Sequence, residues 1–179
     1  VENLVIPATI TTIKPQTFRQ CSSIKTVTMA NSVTKLENAA FFGCANLKSV
    51  TLSDGMKVIG ASVFRNCKSL LEITIPTTVT TIEDNAFNGC TSFSEITIPN
   101  NVTSIGYGAF SGCSNLLNIT APIFTKTARF LTVFGPQTTS VNLTSGSSIP
   151  ESYFEKCTNL QTITLTSSIT NIGPRAFYG

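Results

Sequence analysis

The sequence predicts one solenoid of stacked parallel β rungs, and three observations carry that prediction. The first is an apolar-polar-apolar triplet that recurs along the whole chain: Leu4-Val5-Ile6, Val27-Thr28-Met29, Val50-Thr51-Leu52, Ile73-Thr74-Ile75, Ile96-Thr97-Ile98, Ile119-Thr120-Ala121, Val141-Asn142-Leu143 and Ile163-Thr164-Leu165. Successive triplets lie 23, 23, 23, 23, 23, 22 and 22 residues apart, a period that marks stacked supersecondary units. The second is a phenylalanine column in fixed phase with the triplets: Phe18, Phe41, Phe64, Phe87, Phe110, Phe154 and Phe177. The third is a cysteine column, Cys21, Cys44, Cys67, Cys90, Cys113 and Cys157, three residues after the phenylalanine in each unit. Such units bury apolar faces against their neighbours that none could bury alone, so the core should be a continuous column.

Each element follows from the phase. In the triplets the outer residues point inward and the central one outward, the alternation of a half-buried strand, and β-branched residues dominate. Every triplet therefore reads as a strand of one parallel sheet. Ile24, Leu47, Leu70, Phe93, Leu116 and Leu160, three residues ahead of the triplet, close the strand against the core. Thr26, Ser49, Glu72, Glu95, Asn118, Ser140 and Thr162 precede the triplet directly and face solvent beside the central residues. Pro7, Ser53, Pro76, Pro99, Pro122, Thr144 and Thr166 then end the strand and turn the chain. The segments 10–13, 33–36, 56–59, 79–82, 102–105 and 169–172 bury their first and last residues and read as short extended rungs.

Pro15 and Pro174 share a phase with Asn38 and Asp84, which is helix-start chemistry, so a short helical turn is expected to carry each phenylalanine to the core. Gly43, Gly89 and Gly112, directly before cysteine, suit a left-handed helix end. The unit at 123–139 is irregular: it lacks the cysteine, and Phe130, Leu131 and Phe134 are out of phase. The preferred reading is a degenerate repeat in which Phe130 or Leu131 still fills the aromatic spine. The alternative is a bulged loop that presents Lys126 and Arg129 beside exposed aromatics as a contact site.

Composition limits the function classes. Hydrophobic residues make up 41% and charged ones 12%, which excludes a disordered chain, and 179 residues suffice for one domain at 1–179. Residues 1–68 carry eight basic and three acidic side chains, 69–113 carry none and four, and 114–179 carry four and two. No basic stripe with interleaved aromatics appears, so no nucleic-acid partner is expected. No apolar run of ~18 residues is present, so no membrane insertion is expected of this segment. Both ends fall inside a repeat, and the chain reads as cut from a longer protein.

The chemistry points away from catalysis. The chain has no histidine, which removes the common general base and the Ser-His and Cys-His pairs, so it is not expected to be an enzyme or to hold a cofactor. The cysteine column reads as reduced thiols in the core. Disulfides between rungs ~5 Å apart, or a bound metal, are the alternatives. Zinc would want histidine or paired CxxC spacings, and no metal site is expected. Glu83-Asp84, and Glu72 with Glu95, read as solvated surface charge. Gly106-Tyr107-Gly108 is explained by the repeat and lacks the context of a phosphate loop. Sequons for possible glycosylation occur at Asn101, Asn118 and Asn142.

The candidate ligand face is the open side of the strands: Thr26, Thr28, Ser49, Thr51, Glu72, Thr74, Glu95, Thr97, Asn118, Thr120, Asn142 and Thr164. The triplet, the turn, the second apolar pair such as Val79 and Ile82, and the Ala-Phe pair ahead of cysteine together resemble the BspA-like leucine-rich repeat family, of the treponemal class. The resemblance covers the chain outside 123–139. It implies an α/β leucine-rich-repeat solenoid, a right-handed horseshoe-type superhelix of about eight repeats, with parallel rungs inside and short helical turns on the convex side. It also implies a cell-surface or secreted protein whose concave sheet binds a protein or glycoprotein of the extracellular matrix or of other cells. A structural spacer without a ligand is the alternative. The threonine ladder invites an ice-binding or polysaccharide reading, but against ice the column that flanks it is interrupted by Glu72, Glu95 and Asn118.

Overall fold

The computed structural model describes residues 1–124 and 129–179, and they form eight successive rungs. The first three rungs hold β1 (Asn3–Ile6) and β2 (Thr12–Ile13), β3 (Thr26–Met29) and β4 (Lys35–Leu36), and β5 (Ser49–Thr51) and β6 (Val58–Ile59). The next two hold β7 (Glu72–Ile73) and β8 (Thr81–Ile82), then β9 (Glu95–Thr97) and β10 (Ser104–Ile105). The irregular sixth rung has β11 (Asn118–Ala121) and, among the described residues, one helix, α1 (Phe130–Phe134). The last two hold β12 (Ser140–Leu143) and β13 (Ser148–Ile149), then β14 (Thr162–Thr164) and β15 (Asn171–Ile172).

All pairing is parallel and keeps the sequence period, so Val27 lies opposite Leu4 and Val50, and Ile59 opposite Leu36 and Ile82. This register carries each inward residue onto its counterpart, which is how a repeat of one pattern becomes one core. The first strands do not form one sheet, however. They divide into β1-β3-β5-β7 and β9-β11-β12-β14, while β2-β4-β6-β8-β10 run unbroken on the other side. The inward residue ahead of β9 is Phe93, where the rungs on either side place Leu70 and Leu116, and Glu95 stacks in phase with Glu72.

The expected helical turns are not formed. Each regular rung instead makes two linked β-turns, because two residues four positions apart take left-handed backbone: Gln16 and Gln20, Ala39 and Gly43, Ser62 and Asn66, Asn85 and Gly89. A helix would donate every amide within its own segment, whereas here alternate amides leave it. The Gln16, Phe18 and Gln20 N–H groups donate to the carbonyls of Asn38, Ala40 and Phe42 on the next rung, at 3.0, 2.8 and 2.6 Å. Those of Thr17, Arg19 and Cys21 close the turns locally. The inter-rung bonds compensate a left-handed backbone that costs a non-glycine residue about 1–2 kcal/mol.

The phenylalanines form the expected spine, with Phe18, Phe41, Phe64, Phe87 and Phe110 stacked at centroid separations of 5.1, 5.7, 5.4 and 5.1 Å. In the sixth rung two residues share the work: Phe134 stacks on Phe110 at 5.3 Å, and Phe130 bridges Phe134 to Phe154. Their i,i+4 spacing puts both on one helix face. Phe130 fills the spine as expected, but neither ring is exposed, which removes the aromatic part of the contact-site alternative. Arg129 pairs with Glu155 at 3.0 Å, and Lys126 lies outside the described residues. At the ends, where one neighbour is missing, Ile10, Ile172 and Phe177 are exposed rather than buried.

All six cysteines are free thiols. Those of Cys44, Cys67, Cys90 and Cys113 are buried and donate to the carbonyls of Phe18, Phe41, Phe64 and Phe87 on the preceding rung, at 3.0 to 3.2 Å. Burial pushes the thiols up, to about 11 in Cys44 and about 12 in Cys113, and Cys67 and Cys90 also shift upward. Gly135 occupies the cysteine phase in the sixth rung, and Thr138 occupies the phase of Leu116 and Leu160. The Thr138 hydroxyl is buried without a partner.

Candidate binding face

Strand alternation delivers the twelve predicted residues to one side of the molecule. In β3, Val27 and Met29 are buried while Thr28 is exposed, and the same alternation recurs in β5, β9 and β12. Ser49, Thr51, Glu72, Thr74, Glu95, Thr97, Asn118, Asn142 and Thr164 are exposed, and Thr26 and Thr120 are half-buried. The Thr26 hydroxyl donates to the Asn3 side chain at 2.8 Å. Asn118 and Asn142 lie on this face, and Asn101 lies in the turn after β9, where its amide donates to the Thr77 carbonyl.

Ladder pairing stops between β7 and β9, so the strands of this face form two hydrogen-bonded sheets. A groove of about 410 Å³ over β7 and β9 is lined by Glu72, Ile73, Thr74, Glu95, Ile96 and Thr97, and a second of about 280 Å³ lies over the paired β5 and β7. The rule of the ladder fails here in one place. The carbonyls of Glu2, Lys25, Lys48, Ser94, Leu117 and Thr139 each accept from the next rung, but among the described residues the Leu71 carbonyl accepts from none. Neither Glu72 nor Glu95 has a basic partner among the described residues. Two apolar side chains are exposed at the start of strands on this side, Leu71 at 58% directly before β7 and Leu117 at 41% directly before β11. Sequence reading missed both, because Leu71 and Leu117 each follow an inward leucine and look like part of a core doublet.

On the opposite side, Glu83 and Asp84 are not free surface charge. The Glu83 carboxylate accepts from the Ala61 N–H at 2.9 Å, and Asp84 from the Tyr107 N–H at 2.8 Å. They tie adjacent rungs together. A Cβ at Gly106 would strike the Asp84 main chain, and Gly108 takes the left-handed position of its turn at φ 64°, so both glycines are structural.

The comparisons now decide the family. The model described as "BspA type Leucine rich repeat region (6 copies)" matches residues 1–117 and 80–179. The chain belongs to the BspA-type leucine-rich repeat family. A BspA-type chain of this shape has solved relatives. The Leucine Rich Repeat protein of T. pallidum superposes with a TM-score of 0.68 at 26% identity, over 96% of this chain and 73% of that one. A leucine rich cell surface protein of Faecalibacterium prausnitzii gives 0.59 at 27% identity, over 97% and 57%. A leucine-rich repeat protein of Bacteroides ovatus, at 20% identity and a TM-score of 0.61 over 98% and 72%, shares the fold. A search of curated proteins gives no significant match.

BspA-type membership fits a protein-interaction or scaffold role, and such repeats are typically non-enzymatic. BspA-type proteins are often cell-surface proteins. No helix among the described residues is long and apolar enough to cross a membrane.

Proposed function

We propose that this chain is the ligand-binding repeat region of a surface or secreted protein and that it adheres to a protein or glycoprotein through the face of β1, β3, β5, β7, β9, β11, β12 and β14. The observation that carries the reading is the division of labour among side chains. Glu83 and Asp84 on the opposite side spend their carboxylates on bonds between rungs, whereas this face holds exposed hydroxyls and carboxylates on a strand ladder without engaging most of them. An array of this kind gives many weak polar contacts, and its charge variation from Ser49 through Glu72 and Glu95 to Asn118 supplies selectivity. The surface location is supported by the family and by the F. prausnitzii relative, which is a cell surface protein.

The threonine column favours a second reading, a spacer, since β preference alone would produce it. A pull-down from extracellular-matrix and cell-surface fractions separates the two. Retention above that of an unrelated solenoid supports adhesion, and its absence supports the spacer. Changing Glu72 and Glu95 to lysine should abolish retention, while changing Lys14 and Lys57 to glutamate, on the opposite side, should leave it intact. The reverse result would move the site off the strand face.

A further inference from the structure

We propose that the solenoid carries a second binding site away from the strand face: the flank of its first three rungs takes a sulfated polysaccharide, its sulfate groups held by Arg19 and Arg65 around Phe42. The site is independent of the adhesion reading above and goes beyond it.

The site follows from the phase of the repeat. Arg19, Phe42 and Arg65 are 23 residues apart and occupy the same corner of three consecutive rungs. The Gln20 N–H donates to the Phe42 carbonyl at 2.6 Å and the Gly43 N–H to the Arg65 carbonyl at 2.8 Å, so main-chain bonds set the three residues in line. Phe42, on the middle rung, draws both cations: the Arg19 guanidinium carbon lies 4.8 Å from its ring centroid and that of Arg65 5.9 Å. Separations within about 6 Å are those of cation–π attraction. Two like charges are thereby ordered on one ring, and among the described residues neither meets a carboxylate. Arg19 donates to the neutral Gln16 side chain at 3.3 Å. The Arg65 Nε–H is buried with no acceptor among the described residues. An arginine that is ordered and partly stripped of water, yet unpaired, is a costly arrangement that a bound oxyanion relieves.

The surroundings extend the charge and select the partner. The stretches 19–25, 42–48 and 65–71 run from the phenylalanine turn to the strand and make this flank of the three rungs. They hold Arg19, Lys25, Lys48, Arg65 and Lys68 and no acidic residue. Lys25 pairs with Glu2 at 2.7 Å, whereas Lys48 and Lys68 are exposed and have no carboxylate partner among the described residues. Arg19 and Arg65 lie two rungs apart, roughly 10 Å along the stack, so a chain of repeated anionic groups engages both where one small anion does not. The guanidinium fork matches the paired oxygens of an oxyanion. A single-stranded nucleic acid would also need open aromatic faces for its bases. Phe42, the one aromatic residue in these stretches, is half-buried with both arginines against its ring. A sulfated sugar chain needs no such platform.

The test is calorimetric titration of the whole 179-residue chain with a size-defined heparin oligosaccharide. Binding should be saturable, and Arg19→Gln with Arg65→Gln should raise the dissociation constant about tenfold, through the loss of charge-assisted bonds. Lys14→Gln with Lys57→Gln removes the same net charge from the opposite side and should change it little. Arg19→Gln alone, at an exposed position, should already weaken binding, which keeps the test readable if the Arg65 change disturbs packing. No binding, equal losses in the arginine and lysine variants, or tighter binding of an oligothymidylate of equal charge would each overturn the proposal. Glu72→Lys with Glu95→Lys separates the two sites, since it should lose retention in the pull-down yet bind heparin undiminished. Failed retention with intact heparin binding would remove adhesion by the strand face and leave the flank standing, and the converse would remove the flank alone.

Discussion

Free thiols at the Cys44, Cys67, Cys90 and Cys113 positions have a measurable signature. A thiol titration should find six groups in denaturant, with Cys21 and Cys157, which are half-buried, the main reactive ones in the folded state. Their burial also sets a pH limit. An exposed thiol releases its proton near 9, but Cys44 and Cys157 hold theirs to about 11 and Cys113 to about 12, through desolvation. Above about pH 9 the unfolded chain binds fewer protons than the folded one, so stability is complete below that value and falls as pH rises through 11 and 12. Urea midpoints across that range should show the decline, and alanine at Cys67 and Cys90 should flatten it. Thr138 offers the opposite opportunity. Its unpartnered hydroxyl sits where neighbouring rungs bury leucine, so Thr138→Val should stabilise by about 1 kcal/mol, measured by urea denaturation. Gly106→Ala should cost about 1–3 kcal/mol, because the added methyl meets main chain that cannot move aside.

Among the elements, strands and turns differ in how far they can be read from the chain. The triplets announce themselves because alternation is local: Val27-Thr28-Met29 needs no knowledge of the next rung to show which side is buried. The segment from Pro15 to Cys21 does not, since three residues from Phe18 to Cys21 suit a helical turn and a pair of linked β-turns equally well. Bonds to the next rung decide between them, and those bonds join residues 22 positions apart. Gly43, Gly89 and Gly112 gave the one correct local hint, their left-handed backbone, though they end a turn rather than a helix. The binding face divides in the same way. Its threonine and mixed columns follow from the period, while the break between β7 and β9 escapes it, because a missing bond at Leu71 leaves the spacing untouched. The aromatic spine yields the test at this scale. Phe64→Ala, deep in the stack, should lower stability by about 3–5 kcal/mol, and Phe177→Ala, 44% exposed at the end, by about 1 kcal/mol. Equal losses at the two sites would mean that the rings do not act as one column.

For the molecule as a whole, the charge runs basic, acidic, basic along the stack, with net sums of +5 (8 − 3), −4 (0 − 4) and +2 (4 − 2). Partner binding centred on the acidic zone should weaken as salt rises toward about 1 M, where the screening length is about 3 Å, and a salt-independent affinity would argue against charge as the basis of recognition. The cysteine column has a further consequence. Six thiols stand in line, yet none is joined to another, so adjacent rungs are held by hydrogen bonds, ion pairs and packing and not by disulfides. A chain tethered at one end and loaded at the other would then behave as an extensible strap. Each rung that peels away converts about 5 Å of stack into about 75 Å of slack, blunting a sudden tug before it reaches the attachment.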